Sequence, residues 1–367
     1  MYTDAYMWVK IFRWIHRYER HVSAAAMVAG FVADNLLFGR VDLLQTQLVF
    51  LAYTAICFVS IPWTQWLENR VTYGHPRPRW RFLLPIATQF SLGGFWSGFV
   101  IFYGRSADLG ATWPFLFVLF LIFLGSEYFH QYHSRLVFTS VLFFFALYSY
   151  MIFAVPVATG TIGTLTFLGS GLVAIALFAL FTMLLRSLAR ERFLNDVRRI
   201  RVGTALVVVL MNVSYFTNIL PPLPLAATSA GVYHSVWRVP GEYLATTEAE
   251  PWQVQYLGSS PTLHLTSGES VYAYSSIFAP TTLSTVIVHR WQWFDPAQRK
   301  WVTRAAISYP IAGGRDGGYR GYSSILIRDA GEWRVNIETA DGRLITRLPF
   351  TVATTKTPPV LSAITLQ

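Results

Sequence analysis

A chain of 367 residues that is 53% hydrophobic, 16% aromatic and only 13% charged has the composition of a membrane protein and not of a soluble domain. Its net charge of +10 does not mark a nucleic-acid binder, because 12 basic and 10 acidic residues follow Pro221 and 8 of the 10 net charges precede it, where they read as topology signals. The single cysteine, Cys57, excludes an intramolecular disulfide and a thiolate metal site within one chain.

Residues 1–21 come first. Trp8, Ile11, Phe12, Ile15 and Tyr18 fall at helical spacing, with Lys10, Arg13, Arg17 and Arg20 on other faces. That pattern fits an amphipathic cytoplasmic segment, either at an anionic membrane surface or packed on the protein's own cytoplasmic loops. Repeated apolar segments follow, and not one short segment with a small-residue cleavage site, so the first is expected to be retained.

Apolar runs of about 20 residues, enough to cross a hydrocarbon core about 30 Å thick, recur through residues 22–220. They are placed at 22–38, 43–66, 82–104, 112–130, 136–156, 164–186 and 202–220, giving an α-helical transmembrane bundle of about seven spans. With the N-terminus inside, inner segments hold 15 basic residues and outer loops hold two, Arg40 and Arg105. Such a bias places whatever follows the seventh span outside. Inside the spans polar residues are few, and Glu127 and His130, at i and i+3 on one helix face, form the one cluster with metal or proton chemistry in reach. A second ligand set is not evident, so an interfacial role beside Arg135 is the expected one, with no metal and no cofactor.

Pro221-Pro222-Leu223-Pro224 stops the last helix, and 221–230 reads as a stiff linker. From 231 to 353, short runs rich in Val, Ile, Thr, Tyr and Trp alternate with turn signals, the mark of an all-β antiparallel sandwich, immunoglobulin-like in style. Strands are predicted near 231–238, 262–266, 270–279, 284–294, 300–308, 319–327, 332–339 and 343–352, leaving 354–367 as a tail. Ile287, His289, Trp291 and Trp293 follow the two-residue strand period, either as a core face with one satisfied histidine or as an aromatic ligand platform.

The glycine-rich run Gly313-Gly314-Arg315-Asp316-Gly317-Gly318-Tyr319-Arg320-Gly321-Tyr322-Ser323-Ser324 lacks the GxxxxGK[ST] pattern and does not open a helix, so it is no P-loop. One short loop in a nearly neutral domain is no RNA-binding box either. It is a structural turn, or else a ligand loop in which His289, Arg290, Arg315, Asp316, Arg320 and Tyr322 receive an anionic or sugar group.

Val232-Tyr233-His234-Ser235-Val236, Val288-His289-Arg290-Trp291, the glycine-rich run and Gly331-Glu332-Trp333-Arg334-Val335 closely resemble, in this order, bacterial multi-pass proteins that end in domain of unknown function 2914. Phe216-Thr217-Asn218-Ile219-Leu220-Pro221-Pro222, just before the outer domain, extends the likeness into the membrane half. The resemblance implies a bacterial inner-membrane protein with its C-terminal domain in the periplasm, and it transfers no catalytic residue. The expected function is non-enzymatic: a protein of the lipid bilayer whose periplasmic β-domain binds an envelope partner, protein or glycan. A transporter or channel using the seven-span bundle, and a membrane-embedded enzyme, are the two alternatives.

Overall fold

The computed structural model describes residues 42–72, 83–106, 109–128, 136–248, 260–266, 268–315 and 317–366. The expected amphipathic segment 1–21, the expected span 22–38, His130 and Asp316 lie outside these residues, and the side chain of Glu127 is likewise not described. Six helices come first: α1 (Leu44–Thr72), α2 (Leu83–Arg105), α3 (Leu109–Tyr128), α4 (Leu136–Thr159), α5 (Thr164–Leu188) and α6 (Arg190–Phe216). Eleven strands follow: β1 (Ala226–Tyr233), β2 (Ser235–Val239), β3 (Glu242–Glu248), β4 (Thr262–Leu265), β5 (Ser270–Phe278), β6 (Ser284–Asp295), β7 (Lys300–Ala312), β8 (Tyr319–Leu326), β9 (Gly331–Thr339), β10 (Leu344–Thr354) and β11 (Leu361–Leu366).

Among the described residues four helices, α1, α4, α5 and α6, are long and apolar enough to cross a membrane, which corrects the expected count of seven. The expected span 22–38 lies outside the described residues, the described apolar part of α3 is the shorter Thr112–Ile122, and α2 falls short by composition. In α2, Thr88, Gln89, Ser91, Gly93, Gly94, Trp96 and Ser97 dilute the apolar residues, and Thr88 and Gly94 meet α1. A Cβ on Gly94 would lie 2.5 Å from the Tyr53 ring, so glycine lets α1 and α2 approach closely. The Ser60 and Thr88 hydroxyls meet at 2.7 Å, and Thr88 Oγ1 also donates to the Leu84 carbonyl at 3.0 Å, as an apolar surround demands. Aromatic rings fill the rest of this unit: Phe50 stacks on Phe99 and on Tyr150, at 5.6 and 5.4 Å between centroids.

Contacts divide the chain into two units, one taking residues up to Phe102 with Leu116–Met151 and Leu172–Leu210, the other Tyr103–Phe115, Ile152–Gly171 and Met211 onward. All strands belong to the second. They form three sheets, in the orders β1-β5-β8, β4-β10-β9-β6-β7 and β11-β3-β2. The β-rich region is thus as expected, whereas the third sheet and the parallel pairing of β4 with β10 are not. His234 splits the run expected as one strand into β1 and β2, β1 begins inside the expected linker, and Leu361–Leu366 is a strand within the expected tail.

Strand alternation explains the layers. Val232, Val271 and Ala273 of the first sheet pack on Trp291, Trp333, Val335 and Phe350 of the five-stranded sheet, and a second cluster around Ile277, Ile287, Ile311 and Ile337 extends that core. On the other face of the first sheet, Tyr272 and Tyr274 pack on Val236, Ala245 and Leu366 of the third. The central strand β5 is therefore covered on both sides, while β8 leaves Tyr322 and Leu326 exposed. Turns follow local chemistry: Asp295 Oδ1 accepts from the backbone N–H groups of Ala297 and Gln298, at 2.8 and 3.2 Å, closing the β6–β7 hairpin.

Candidate functional site

The residues singled out from sequence are distributed over three environments. His289 points inward from β6 and is fully buried between two sheets. Its Nδ1 lies 2.8 Å from Ser323 Oγ on β8, and its Nε2 lies 2.9 Å from Ser275 Oγ on β5 and 3.2 Å from the Tyr309 hydroxyl on β7. Ser275 and Tyr309 are also 2.6 Å apart, and Trp291 Nε1–H donates to Ser323 Oγ at 3.1 Å. Burial pushes the imidazole down to about 4, so it is neutral at pH 7, and pushes the Tyr309 phenol up to about 12. A serine hydroxyl 2.9 Å from an imidazole is the spacing of a nucleophile and its base. Here Ser275 and His289 are both wholly inaccessible, so no substrate carbonyl reaches them. The set is a polar cross-link between sheets.

The opposite face of the first sheet carries tyrosines. Register puts Tyr274 beside Tyr322 and Ser276 beside Arg320, so all four share one face. Tyr243 of β3 meets Tyr322 edge-on at 6.2 Å and its hydroxyl donates to the Arg320 carbonyl at 3.4 Å, while Tyr272 lies 6.2 Å from Tyr322 on the other side. Tyr274 is buried beneath them. Burial raises its hydroxyl, an effect that the Arg320 charge partly offsets. Tyr322 is 41% exposed, which leaves a ring accessible among these neighbours.

The glycine-rich run is the β7–β8 connection. The Gly313 N–H donates to the Leu283 carbonyl and that of Gly314 to the Ala279 carbonyl, at 2.9 and 3.1 Å. The Gly317 carbonyl accepts from Ser276 Oγ at 2.5 Å and from Thr228 Oγ1 at 3.2 Å. Arg315 lies over the Tyr319 ring at 4.8 Å. Loop backbone is thus pinned to β1 and β5. Arg290 projects from the outer face of β6, where its Nε–H donates to Glu338 Oε2 at 2.8 Å. Of the six expected site residues, Arg320 and Tyr322 share a surface, Arg315 lies over Tyr319, which packs on the other face of β8, His289 is internal, Arg290 faces away, and Asp316 lies outside the described residues.

Sequence reasoning missed one cluster. Glu248, at the end of β3, takes three hydrogen bonds: from His234 Nε2 at 2.8 Å, from the His264 backbone N–H at 2.6 Å and from His264 Nδ1 at 2.7 Å. Burial raises this carboxyl, but the bonds from His264 and His234 outweigh it and hold Glu248 below the usual carboxylate range. These bonds tie the third sheet to the edge strand β4. A carboxyl lowered on folding contributes stability that is full above its unfolded value and is lost as pH falls through the folded one. The expected result is that hydrogen exchange in 235–248 and 262–265 accelerates below about pH 4 in the native chain. In Glu248→Gln it should already be faster at pH 7 and should lose that acid dependence. Equal exchange in the two proteins would remove Glu248 as the tie.

Among the helices, a groove of about 950 Å³ is lined by Gln65 of α1, Phe138 and Val141 of α4, and Arg192, Asp196 and Arg199 of α6. Gln89 of α2 and Asn212 of α6 are not part of its lining.

Residues 284–352 match a family described as "Protein of unknown function (DUF2914)". That segment runs from β6 to β10 and contains His289, Arg290, the glycine-rich run and Tyr322. No curated protein matches the chain. Among solved structures, a beta-glucosidase from Listeria innocua in complex with gluconolactone is similar at 13% identity over 33% of this chain and 17% of that one, with a TM-score of 0.20. The Pseudomonas fluorescens alkylpurine DNA glycosylase AlkC bound to DNA containing an abasic site analog is similar at 13% identity over 73% and 79%, with a TM-score of 0.19. The chain spans well under two thirds of the glucosidase, and scores at that level transfer neither fold nor activity.

Proposed function

We propose that the chain is a multi-pass protein of the bacterial inner membrane whose β region lies in the periplasm and binds an envelope partner, protein or glycan, without catalysing a reaction. The observation that carries the binding reading is the accessible Tyr322 ring set between Tyr243 and Tyr272, with Arg320 two residues away on the same face. An aromatic ring stacks on the apolar face of a sugar or on a partner side chain, and a guanidinium beside it supplies fixed donors. The reading as a non-enzyme is supported by the enclosure of the Ser275–His289 pair.

The last helix supports the orientation. Arg190, Arg192, Arg198, Arg199 and Arg201 crowd the first half of α6, and no further basic residue occurs before Arg238 in β2. Basic residues favour the cytoplasmic side, so the strands that follow the other end of α6 fall outside. A reporter enzyme that works only in the periplasm should be active when fused after Gln367, and inactivity there would reverse the orientation.

Binding is tested by copurification of the full chain from detergent-solubilised envelopes and by sedimentation with purified cell-wall sacculi. Tyr322→Ala and Arg320→Ala should each reduce the bound species about tenfold, the loss of one well-placed contact, while circular dichroism stays unchanged. Retention at the native level in both variants would sink the surface as the binding site.

A further inference from the structure

Among the described residues, the outward face of the five-stranded sheet gathers three arginines, Arg290, Arg334 and Arg347. Register places Arg290 of β6 directly opposite Asn336 of β9, and Asn336 directly opposite Arg347 of β10. Arg334, two residues from Asn336 along β9, shares that face. Three arginines from three adjacent strands therefore surround one buried asparagine. Each anchors itself by its Nε–H: Arg290 on Glu338 Oε2, Arg334 on Gln292 Oε1 and Arg347 on Asn336 Oδ1, all at 2.8 Å. Asn336 Nδ2–H in turn donates to Gln292 Oε1 at 3.3 Å, so the array is held as one unit. Arg334 is further fixed over the Trp301 ring at 4.1 Å.

Such anchoring matters chemically. A guanidinium tied through Nε has lost its rotamer freedom but keeps two Nη groups, the edge that grips a phosphate or carboxylate. Among the described residues, the hydrogen bonds of Arg290 and Arg334 use Nε alone. Glu338 pairs with Arg290; Glu332, farther along β9, is exposed and makes no ion pair among the described residues. Like charges on neighbouring strands destabilise a sheet unless something lies between them, and Arg347 does depress the Arg334 guanidinium, after burial as the larger cause. Arg347 is exposed and Arg290 partly so, so the face is open to solvent.

We propose that this arginine face is an oxyanion-binding site, taking the phosphate or carboxylate group of an anionic envelope solute or polymer. It lies on the opposite side of the β region from Tyr322 and stands whether or not the tyrosine surface binds a partner.

The test uses the full chain in neutral detergent at constant ionic strength, titrated calorimetrically with inorganic phosphate, with malonate and with sodium chloride as the control. Saturable binding is expected with phosphate, malonate or both, the stronger of the two naming the source. Arg334→Gln and Arg347→Gln should each weaken it about tenfold, since each removes a charge-assisted hydrogen bond, and Arg238→Gln on exposed β2 should leave it unchanged. Glu338→Gln should strengthen it several-fold, because it removes the carboxylate paired with Arg290 and frees that guanidinium. That change of sign distinguishes binding from a structural role, and it keeps the proposal testable if Arg334→Gln does not fold. Heats no larger than those of the chloride control, or binding equal in the native chain and the Arg347→Gln and Glu338→Gln variants, would overturn the assignment.

Discussion

Replacing His289 with alanine is expected to destabilise the β region by about 3 kcal/mol or more, enough to abolish protection from hydrogen exchange in 270–278 and 319–326. The cost has two sources. A side chain in a fully enclosed site leaves a cavity, and the groups it served, Ser275, Ser323 and Tyr309, lose a partner where water cannot replace it. His289→Gln keeps most of the volume and one donor and acceptor, so it should cost less than half as much.

A pH signature separates this role from others. The unfolded imidazole takes up its proton near pH 6.5 and the folded one not until about 4, so between these values the unfolded chain binds more protons. Stability should therefore be full above about pH 6.5 and fall toward pH 4, by something on the order of 3 kcal/mol. In His289→Gln that slope should vanish from this window while the Glu248 dependence, which lies at lower pH, persists. A native protein whose exchange rates are flat from pH 7 to 4.5 would mean that His289 is solvated and the cross-link absent.

The inward position of His289 is legible in the sequence, because Ile287, His289, Trp291 and Trp293 keep a strict period of two. Its partners are not. Ser275, Tyr309 and Ser323 come from three other strands in two sheets, and nothing local says that a serine on β5 will face a histidine on β6. The same holds for the arginine face: alternation along Trp333-Arg334-Val335-Asn336-Ile337-Glu338 assigns the polar side to water, but bringing Arg290 and Arg347 to Asn336 is a matter of register. The third sheet escaped for a different reason. Its strands β3 and β11 are short and poor in large apolar residues, and they pair Glu248 with Leu361 across more than a hundred residues of chain. In the helical half, length and hydropathy locate the helices, but a helix such as α2, whose Thr88 and Gly94 meet α1, falls short of a span by composition alone.

Gly313→Ala is expected to cost several kcal/mol, the largest effect of any single methyl group added to the glycine-rich run. The chain passes so close to the 279–283 segment that a Cβ there would sit 1.6 Å from the Pro280 carbonyl oxygen and 2.8 Å from that of Ala279. Both are backbone atoms, so no side chain can swing away. The Gly313 N–H is committed to the Leu283 carbonyl at 2.9 Å, and retreat would break that bond as well. Gly318→Ala combines φ of +82° with a Cβ 2.9 Å from the Ile277 carbonyl carbon, and should cost about 1–3 kcal/mol. Gly317→Ala is the control: its φ is not in the left-handed region and the nearest atom to an added Cβ is the mobile end of Arg320 at 3.6 Å, so a change within about 0.5 kcal/mol is expected. Arg315→Ala and Arg320→Ala should likewise leave thermal unfolding unchanged, because neither alters the backbone. The order Gly313, then Gly318, then Gly317, read from unfolding of the full chain in detergent, follows from backbone clearance alone. If Gly317→Ala proved as damaging as Gly313→Ala, or if either left stability intact but removed a copurifying species, the run would be a clearance for a bound partner and not the turn that sets β8 in register.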